Sequence, residues 1–366
     1  MSGCSGEPLE AILLVGGKGT RLRPLTLSVP KPLLPTAGVP FLAHMLARAA
    51  SSGVTRVVLA TSYRAERFAE CFGDGSGFGL EIEYVHEPEP LDTGGGIRNA
   101  ASRLRSGPGD PVIVLNGDVL TGHDLAAQLD MHRKADAEVT LHLVTVPDPS
   151  RYGCVPTDAT GRVTAFLEKT PDPVTDQVNA GCYVYRRGAI DEIPPGRVVS
   201  VERETFPGLI EAGRVVMGYL DNSYWLDVGT PEAFVRGCCD LVLGRLASPA
   251  TDTAAVTGEA LVLPGAAVDA TARVTGGSTV GAGAVVGPDA TVTGSVLFDG
   301  VTVAAGARIS GSIIGREVKV DSDTVLDGAV IGDGASIAAG NELRGGLRVW
   351  PGVQLGPTSV RFSTDA

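Results

Sequence analysis

The chain has 366 residues, 43% hydrophobic and 20% charged, and a formal net charge of −12. That length suits two domains, each with a proper core. The negative balance argues against nucleic acid or an anionic membrane as a partner, so any phosphate has to be bound locally, by a few basic groups and backbone N–H donors.

In chain order, MSGCSGEPLE carries no basic, apolar leader, and no later run approaches the ~18 apolar residues of a membrane span. A cytoplasmic protein is expected. Apolar runs at Ala11–Val15, Val57–Thr61, Ile82–Val85, Val112–Asn116 and Val139–Val146 read as strands. Between and after them, Pro40–Ser52, Ala65–Phe72, Gly96–Leu104, Asp124–Ala135 and Pro231–Leu246 have helical periodicity. Alternation of this kind predicts βαβ units and a mostly parallel, Rossmann-like sheet in an α/β domain. Tyr152–Tyr185 breaks the alternation with strand-like pieces and no helix between them, which predicts a hairpin excursion over a site. Ser248–Thr253 reads as a linker, dividing a first domain (1–247) from a second (254–366).

Beyond Leu261 glycine, alanine and valine dominate and helical periodicity is lost. Val280, Leu297, Ile314 and Ile331 are spaced by 17 residues, as are Val286, Val303, Val320 and Ile337, and Val292, Ile309, Leu326 and Leu343. Within one repeat the steps are six, six and five. Each step makes one flat side of a triangular coil with one aliphatic side chain pointing inward. Small residues such as Gly281, Ala282 and Gly283 form the corners, and successive coils stack ~4.8 Å apart. This pattern resembles a left-handed parallel β-helix of hexapeptide repeats with one side shortened. At its far end the tail from Leu347, with Trp350, Pro351 and Phe362, is expected to act as a cap.

Leu13–Pro35 reads LLVGGKGTRLRPLTLSVPKPLLP. A strand runs into Gly16, Gly17 and Gly19, where backbone can approach a triphosphate with its N–H groups turned inward. Thr20 adds a hydroxyl, and Arg21 and Lys31 add the positive charge that phosphate transfer requires. A dinucleotide fingerprint fails because Leu22 stands where its third glycine belongs, and no P-loop string occurs. A plain structural turn does not explain why Arg21, Arg23 and Lys31 crowd one loop. Further on, Asp118 ends the run VIVLNGD at the carboxyl edge of the sheet, where ligands gather in open α/β folds. Asp227 sits in YWLDVG, and each of these carboxylates could also be a turn or helix cap. Glu168 and Lys169 close VTAFLEK, where a strand end lets both side chains reach one ligand.

GGKGTRLRPLT and VPKPLLP are similar to the signature of the sugar-phosphate nucleotidyltransferases, the nucleotide-sugar pyrophosphorylases. The resemblance continues in order through EPLDTGGGIRNA, VLNGDV, YGCV, FLEKTPDP, VNAGCYVY, SVERETFPGL and YWLDVGTPEAF, covering essentially residues 10–246. SVERETFP and YWLDVGTPE look most like the branch that makes GDP-mannose. The resemblance implies an enzyme that joins a nucleoside triphosphate to a sugar 1-phosphate and releases pyrophosphate. It implies catalytic Arg21, Lys31 and Lys169, and Mg2+ on Asp118 and Asp227. The nucleotide would meet Leu14, Gly16, Gly17, Gly19, Thr20, Thr93 and Gly94, and the sugar phosphate would meet Gly153, Glu168, Lys169 and Asn179. Relatives often carry glycine where this chain has Asp92, in a stretch, Leu91–Gly96, expected to be the loop against base and ribose. Glucose 1-phosphate with dTTP or UTP, and a non-catalytic nucleotide-sugar sensor, stand as alternatives.

The six cysteines, Cys4, Cys71, Cys154, Cys182, Cys238 and Cys239, have no CxxC spacing, so buried or incidental thiols are expected. None of the five histidines falls in the repeat region, which argues against the histidine-dependent acyl transfer of other hexapeptide proteins. Exposed coil edges favour a homo-oligomer.

Overall fold

Leu9–Leu14 is an inner strand of a nine-stranded mixed sheet. On one side it pairs in parallel with Val54–Thr61, which pairs with Glu81–His86; on the other it pairs in parallel with Pro111–Asn116. Helical crossovers impose this parallel half. The sheet then turns mixed: Gln177–Arg186 lies antiparallel to both Pro111–Asn116 and Val139–Thr145, and Val216–Leu220 adds in parallel to the latter. Ile12, Val58, Val114, Leu141, Tyr183 and Phe206 are fully buried in one core.

The computed structural model describes residues 8–361 apart from Tyr63 and Pro171, so Cys4 and Phe362 lie outside the described residues. The chain divides into two units that cut across sequence order. One runs through Gly17 and resumes as Met45–Trp225; the other joins Lys18–His44 to the chain from Leu226 onward.

Several expectations need correction. The helix expected over Gly96–Leu104 spans Asp92–Ala100, so Asp92–Gly96 is helical rather than a loop. Of the excursion expected at Tyr152–Tyr185, Gly153–Cys154 and Leu167–Glu168 form a small hairpin at the edge of the nine-stranded sheet, with a further antiparallel bridge between Thr157 and Val163, and Gln177–Arg186 is an inner strand of the same sheet. SVERETFPGL forms a π-helical turn at Val201–Thr205 running into the helix Phe206–Glu211.

In the second unit, three sheets of seven, six and five strands supply the three sides of a β-helix. Val280, Leu297, Ile314 and Ile331 pair in sequence, as do the other two rows, and all twelve side chains are buried. The shortened side has its own device. Buried Ser278, Ser295 and Ser312 stand 17 apart, and the Oγ of each accepts the N–H of the residue one coil ahead: Ser295 and Ser312 at 3.1 Å and Ala329 at 3.0 Å. Each hydroxyl also donates to a carbonyl of its own coil, at 2.7 to 2.8 Å. The near edge is covered by Val256–Thr257, antiparallel to Ala260–Val262. At the far end Arg348–Val349 and Gln354–Leu355 extend two of the sheets, so this stretch adds further sides to the stack, and Trp350 stays 47% exposed.

Candidate active site

In the first unit, Leu14 and Asn116 are register partners at the carboxyl ends of neighbouring parallel strands. Chain leaving these two ends carries Gly16–Gly17 and Gly117–Asp118. Gly117 N–H donates to Leu14 O at 2.9 Å, and a Cβ at Gly117 would lie 2.4 Å from that oxygen. Glycine at 117 therefore holds half-buried Asp118 beside the end of the Leu14 strand. Gly16 has a packing reason of its own, since a Cβ there would be 2.9 Å from Ser62 Oγ. Gly17 has none: a Cβ would meet nothing within 4 Å. The fold leaves open space at Gly17, which is what close approach of a ligand requires.

Asp92 opens its helix with φ +60°, a left-handed conformation that glycine adopts freely and aspartate tolerates. Its carboxylate accepts Thr93 N–H at 2.8 Å. The three glycines that follow are needed by packing. Gly94 and Gly95 N–H both donate to Val199 O, at 2.7 and 3.2 Å, and a Cβ at Gly95 would lie 2.4 Å from Arg197 O. Thr93 Oγ1 donates to Glu202 Oε2 at 2.8 Å and accepts Val201 N–H at 3.0 Å. Thr93 and Gly94 thus tie this helix to the SVERETFP turn, a link invisible in sequence. Glu87 is a further residue that sequence reasoning missed. It is only 8% exposed, its Oε1 would be 2.7 Å from a Cβ at Gly96, and burial raises its carboxyl pKa.

The four residues of the expected sugar-phosphate set come together. Glu168 pairs with Gly153, and Cys154 pairs with Val178, next to Asn179. Lys169 Nζ lies 3.4 Å from Glu168 Oε1, and its backbone is held at φ +47°, uncommon for a non-glycine residue and frequent at functional sites. Asn179 Nδ2 donates to Tyr183 Oη at 2.9 Å.

In the second unit the signature loop winds through short 3-10 turns at Thr20–Leu22, Leu25–Leu27 and Lys31–Leu33. Gly19 has φ +58°, and its carbonyl accepts Thr26 Oγ1–H at 2.9 Å. A Cβ on Gly19 would press on Lys31 Cβ at 2.9 Å. Lys31 is buried, whereas Thr20 and Arg21 are exposed. The guanidinium of Arg21 lies against Gly229, in the turn after half-buried Asp227. Thr230 follows and caps the helix Pro231–Val242, its Oγ1 accepting Ala233 N–H at 3.2 Å.

A mixed sheet with glycine turns and an acidic group leaving its carboxyl edge is the frame of a phosphate-handling α/β protein. A family model of nucleotidyl transferases matches residues 10–242, and a model of the GMPPB C-terminal domain matches residues 256–353. The chain belongs to the nucleotidyl transferase family. Over 358 residues it is 58% identical to mannose-1-phosphate guanylyltransferase of Mycobacterium tuberculosis, covering 98% of each chain. It is 37% identical over 268 residues to the catalytic subunit beta of the Drosophila melanogaster enzyme of that name, covering 72% of each. Among solved structures, HddC from Yersinia pseudotuberculosis complexed with GMP-PN matches with a TM-score of 0.55 and 28% identity, over 63% of this chain and 98% of that one.

Proposed function

We propose that the protein transfers a guanylyl group from GTP to mannose 1-phosphate, giving GDP-mannose and pyrophosphate. The observation that carries this reading is the full-length likeness to the Mycobacterium tuberculosis guanylyltransferase. It is supported by the open space at Gly17 and by the assembly of Gly153, Glu168, Lys169 and Asn179.

A phosphate oxygen of mannose 1-phosphate attacks the α-phosphorus of GTP. The new P–O bond forms as the α–β bridging P–O bond breaks, and pyrophosphate departs from the opposite side. No side-chain nucleophile is needed, so catalysis is positioning and charge neutralisation. Arg21 and Lys31 hold the β- and γ-phosphates and take up the charge of the leaving pyrophosphate. Leu14, Gly16, Gly17, Gly19, Thr20, Thr93 and Gly94 line the nucleotide, with Gly94 contributing atoms other than its committed N–H. Lys169 orients the attacking phosphate, and Glu168, Asn179 and the Gly153 backbone fix the sugar. One phosphoanhydride replaces another, so the reaction runs readily in both directions.

Asp118 and Asp227 would hold Mg2+, which supplies charge neutralisation on the phosphates. Among the described residues no three His, Cys, Asp or Glu side chains cluster as a metal cage. Two carboxylates suit Mg2+ nonetheless, because it takes its remaining oxygens from substrate and water. No helix among the described residues is long and apolar enough to cross a membrane, and five described cysteines are unpaired; both fit a cytoplasmic enzyme. A homo-oligomer completes the reading.

Pyrophosphate release, assayed over four nucleoside triphosphates and several sugar 1-phosphates, tests the reading. GTP with mannose 1-phosphate should lead by at least tenfold; a clear preference for dTTP or UTP with glucose 1-phosphate would replace it. Tight GDP-mannose binding without turnover would indicate a sensor. Asp227→Asn should lower turnover by orders of magnitude and leave folding intact.

A further inference from the structure

The coil carries the signature loop. Ser28 Oγ donates to Asp333 Oδ2 at 2.9 Å, and Arg348 Nη1 donates to Arg23 O at 2.8 Å. At the loop's return, Gly38 adopts φ +86°, and a Cβ there would lie 2.9 Å from Leu263 Cδ2 and 3.3 Å from Leu261 Cδ2. These attachments bracket Lys31, and Arg21 precedes the first by two residues.

The contact to Ser28 is more than the coil needs. Asp333 Oδ1 accepts Arg316 N–H at 2.9 Å, and two coils earlier Asp299 Oδ1 accepts Ala282 N–H at the same distance. That bond alone accounts for an aspartate at either corner. The second oxygen of Asp299 faces Arg316 Nε at 4.0 Å, whereas the second oxygen of Asp333 takes the Ser28 hydroxyl. The backbone bonds within the loop mostly close single turns, such as Leu22 to Gly19, Leu27 to Pro24 and Leu33 to Pro30. Within the loop the Thr26 hydroxyl ties the first turn to the second through Gly19 O, and the attachments to the coil add support from outside for the spacing between Arg21 and Lys31.

We propose that Asp333, Ser28 and Arg348 are positioning residues, through which the β-helix sets the loop conformation that presents Arg21 and Lys31 to the nucleotide. The proposal rests on the guanylyltransferase reading above, and neither Ser28 nor Arg348 is assigned any contact with substrate.

The test uses the full-length chain with Ser28→Ala, Arg348→Ala, both together, and Ser28→Thr, which keeps the hydroxyl. Hydrogen exchange at Leu22, Arg23, Leu27 and Leu33 is measured beside steady-state kinetics and Tm. In the double variant, exchange at these amides should quicken several-fold. The KM for GTP should rise about three- to tenfold, as loss of two modest hydrogen bonds implies, with the KM for mannose 1-phosphate and Tm held. Ser28→Thr should behave as wild type. Unchanged exchange, an unchanged KM for GTP, or a uniform decline of all kinetic constants with Tm would each overturn the proposal. A wild-type chain that does not use GTP would instead sink the functional reading, while the exchange measurement still reports on the clamp.

Discussion

Gly229 lies beneath the guanidinium of Arg21: a Cβ built there would come 2.6 Å from Nη2, 2.8 Å from Cζ and 2.9 Å from Nη1. The turn after Asp227 thus offers a bare stretch of backbone on which the arginine head rests. The obstructing atoms are the far end of a flexible side chain, so Gly229→Ala should displace Arg21 rather than disturb the fold. We expect turnover to fall about 10- to 100-fold, less than the roughly 100- to 1000-fold of deleting a charge-stabilising donor, because the arginine is displaced and not removed. Tm should move by no more than about 2 °C. Pyrophosphate release and a thermal melt on the same preparation check both halves of this expectation.

Gly95→Ala sets helix propensity against packing. Alanine is favoured over glycine in a helix interior by about 1 kcal/mol. Its Cβ, however, would meet the Arg197 carbonyl at 2.4 Å, and that oxygen belongs to backbone. Packing should win, with a net loss of about 1–3 kcal/mol by denaturant unfolding. A stabilised variant would show that the segment at Arg197 yields easily.

Ser295→Ala removes the acceptor for Ser312 N–H, at 3.1 Å in the buried corner of the coil. The stranded donor should cost about 1–3 kcal/mol. Unfolding of the variant in urea measures it. Ala329 occupies the same column without a hydroxyl because the ladder of serines ends there.

The stacked imidazoles of His123 and His142, with centroids 3.9 Å apart, give the stability a pH dependence. Burial pushes His123 down to about 3, and His142 and His132 down to about 4. Unfolded histidine titrates near 6.5. Below that value the unfolded chain binds protons that the folded chain refuses, so stability falls as pH drops from about 6.5 toward 4. At pH 5 each of the three groups should cost about 2 kcal/mol relative to neutral pH. Urea midpoints between pH 7.5 and 5 should show this decline, and His142→Gln should flatten its slope by about one proton.

How far the sequence could be read depended on the range of the interactions involved. The three aliphatic rows were legible because each coil repeats one local rule, and side chains 17 residues apart end as paired neighbours. The Leu9–Leu14 and Pro111–Asn116 strands were legible as buried apolar runs. Asp92–Gly96, expected as a loop from the resemblance, is helical, and its stabilising partners, Val199 and Glu202, lie about a hundred residues away. The serine column has the same 17-residue period as the rows and could have been found by lining up polar residues too. Glu87 and the contact between Ser28 and Asp333 join positions that no periodicity relates. Gly229 had a signal in the string DVGT, but its reason, the Arg21 head above it, needs coordinates.

The attachments of the loop to the coil turn the stack into a ruler. Leu261, Thr279, Val296, Ile313, Val330 and Arg348 follow one another in register from the first attachment to the last. At ~4.8 Å per step this is about 24 Å. Repeat proteins ordinarily gain or lose turns without harm, because each turn meets only its neighbours. Here, removing one 17-residue turn between Leu263 and Asp333 would slide one anchorage past the other by ~4.8 Å while leaving the stack itself well formed. Copy number over that stretch is therefore gauged by the span of the segment it supports, whereas growth beyond Leu355 is unconstrained by it.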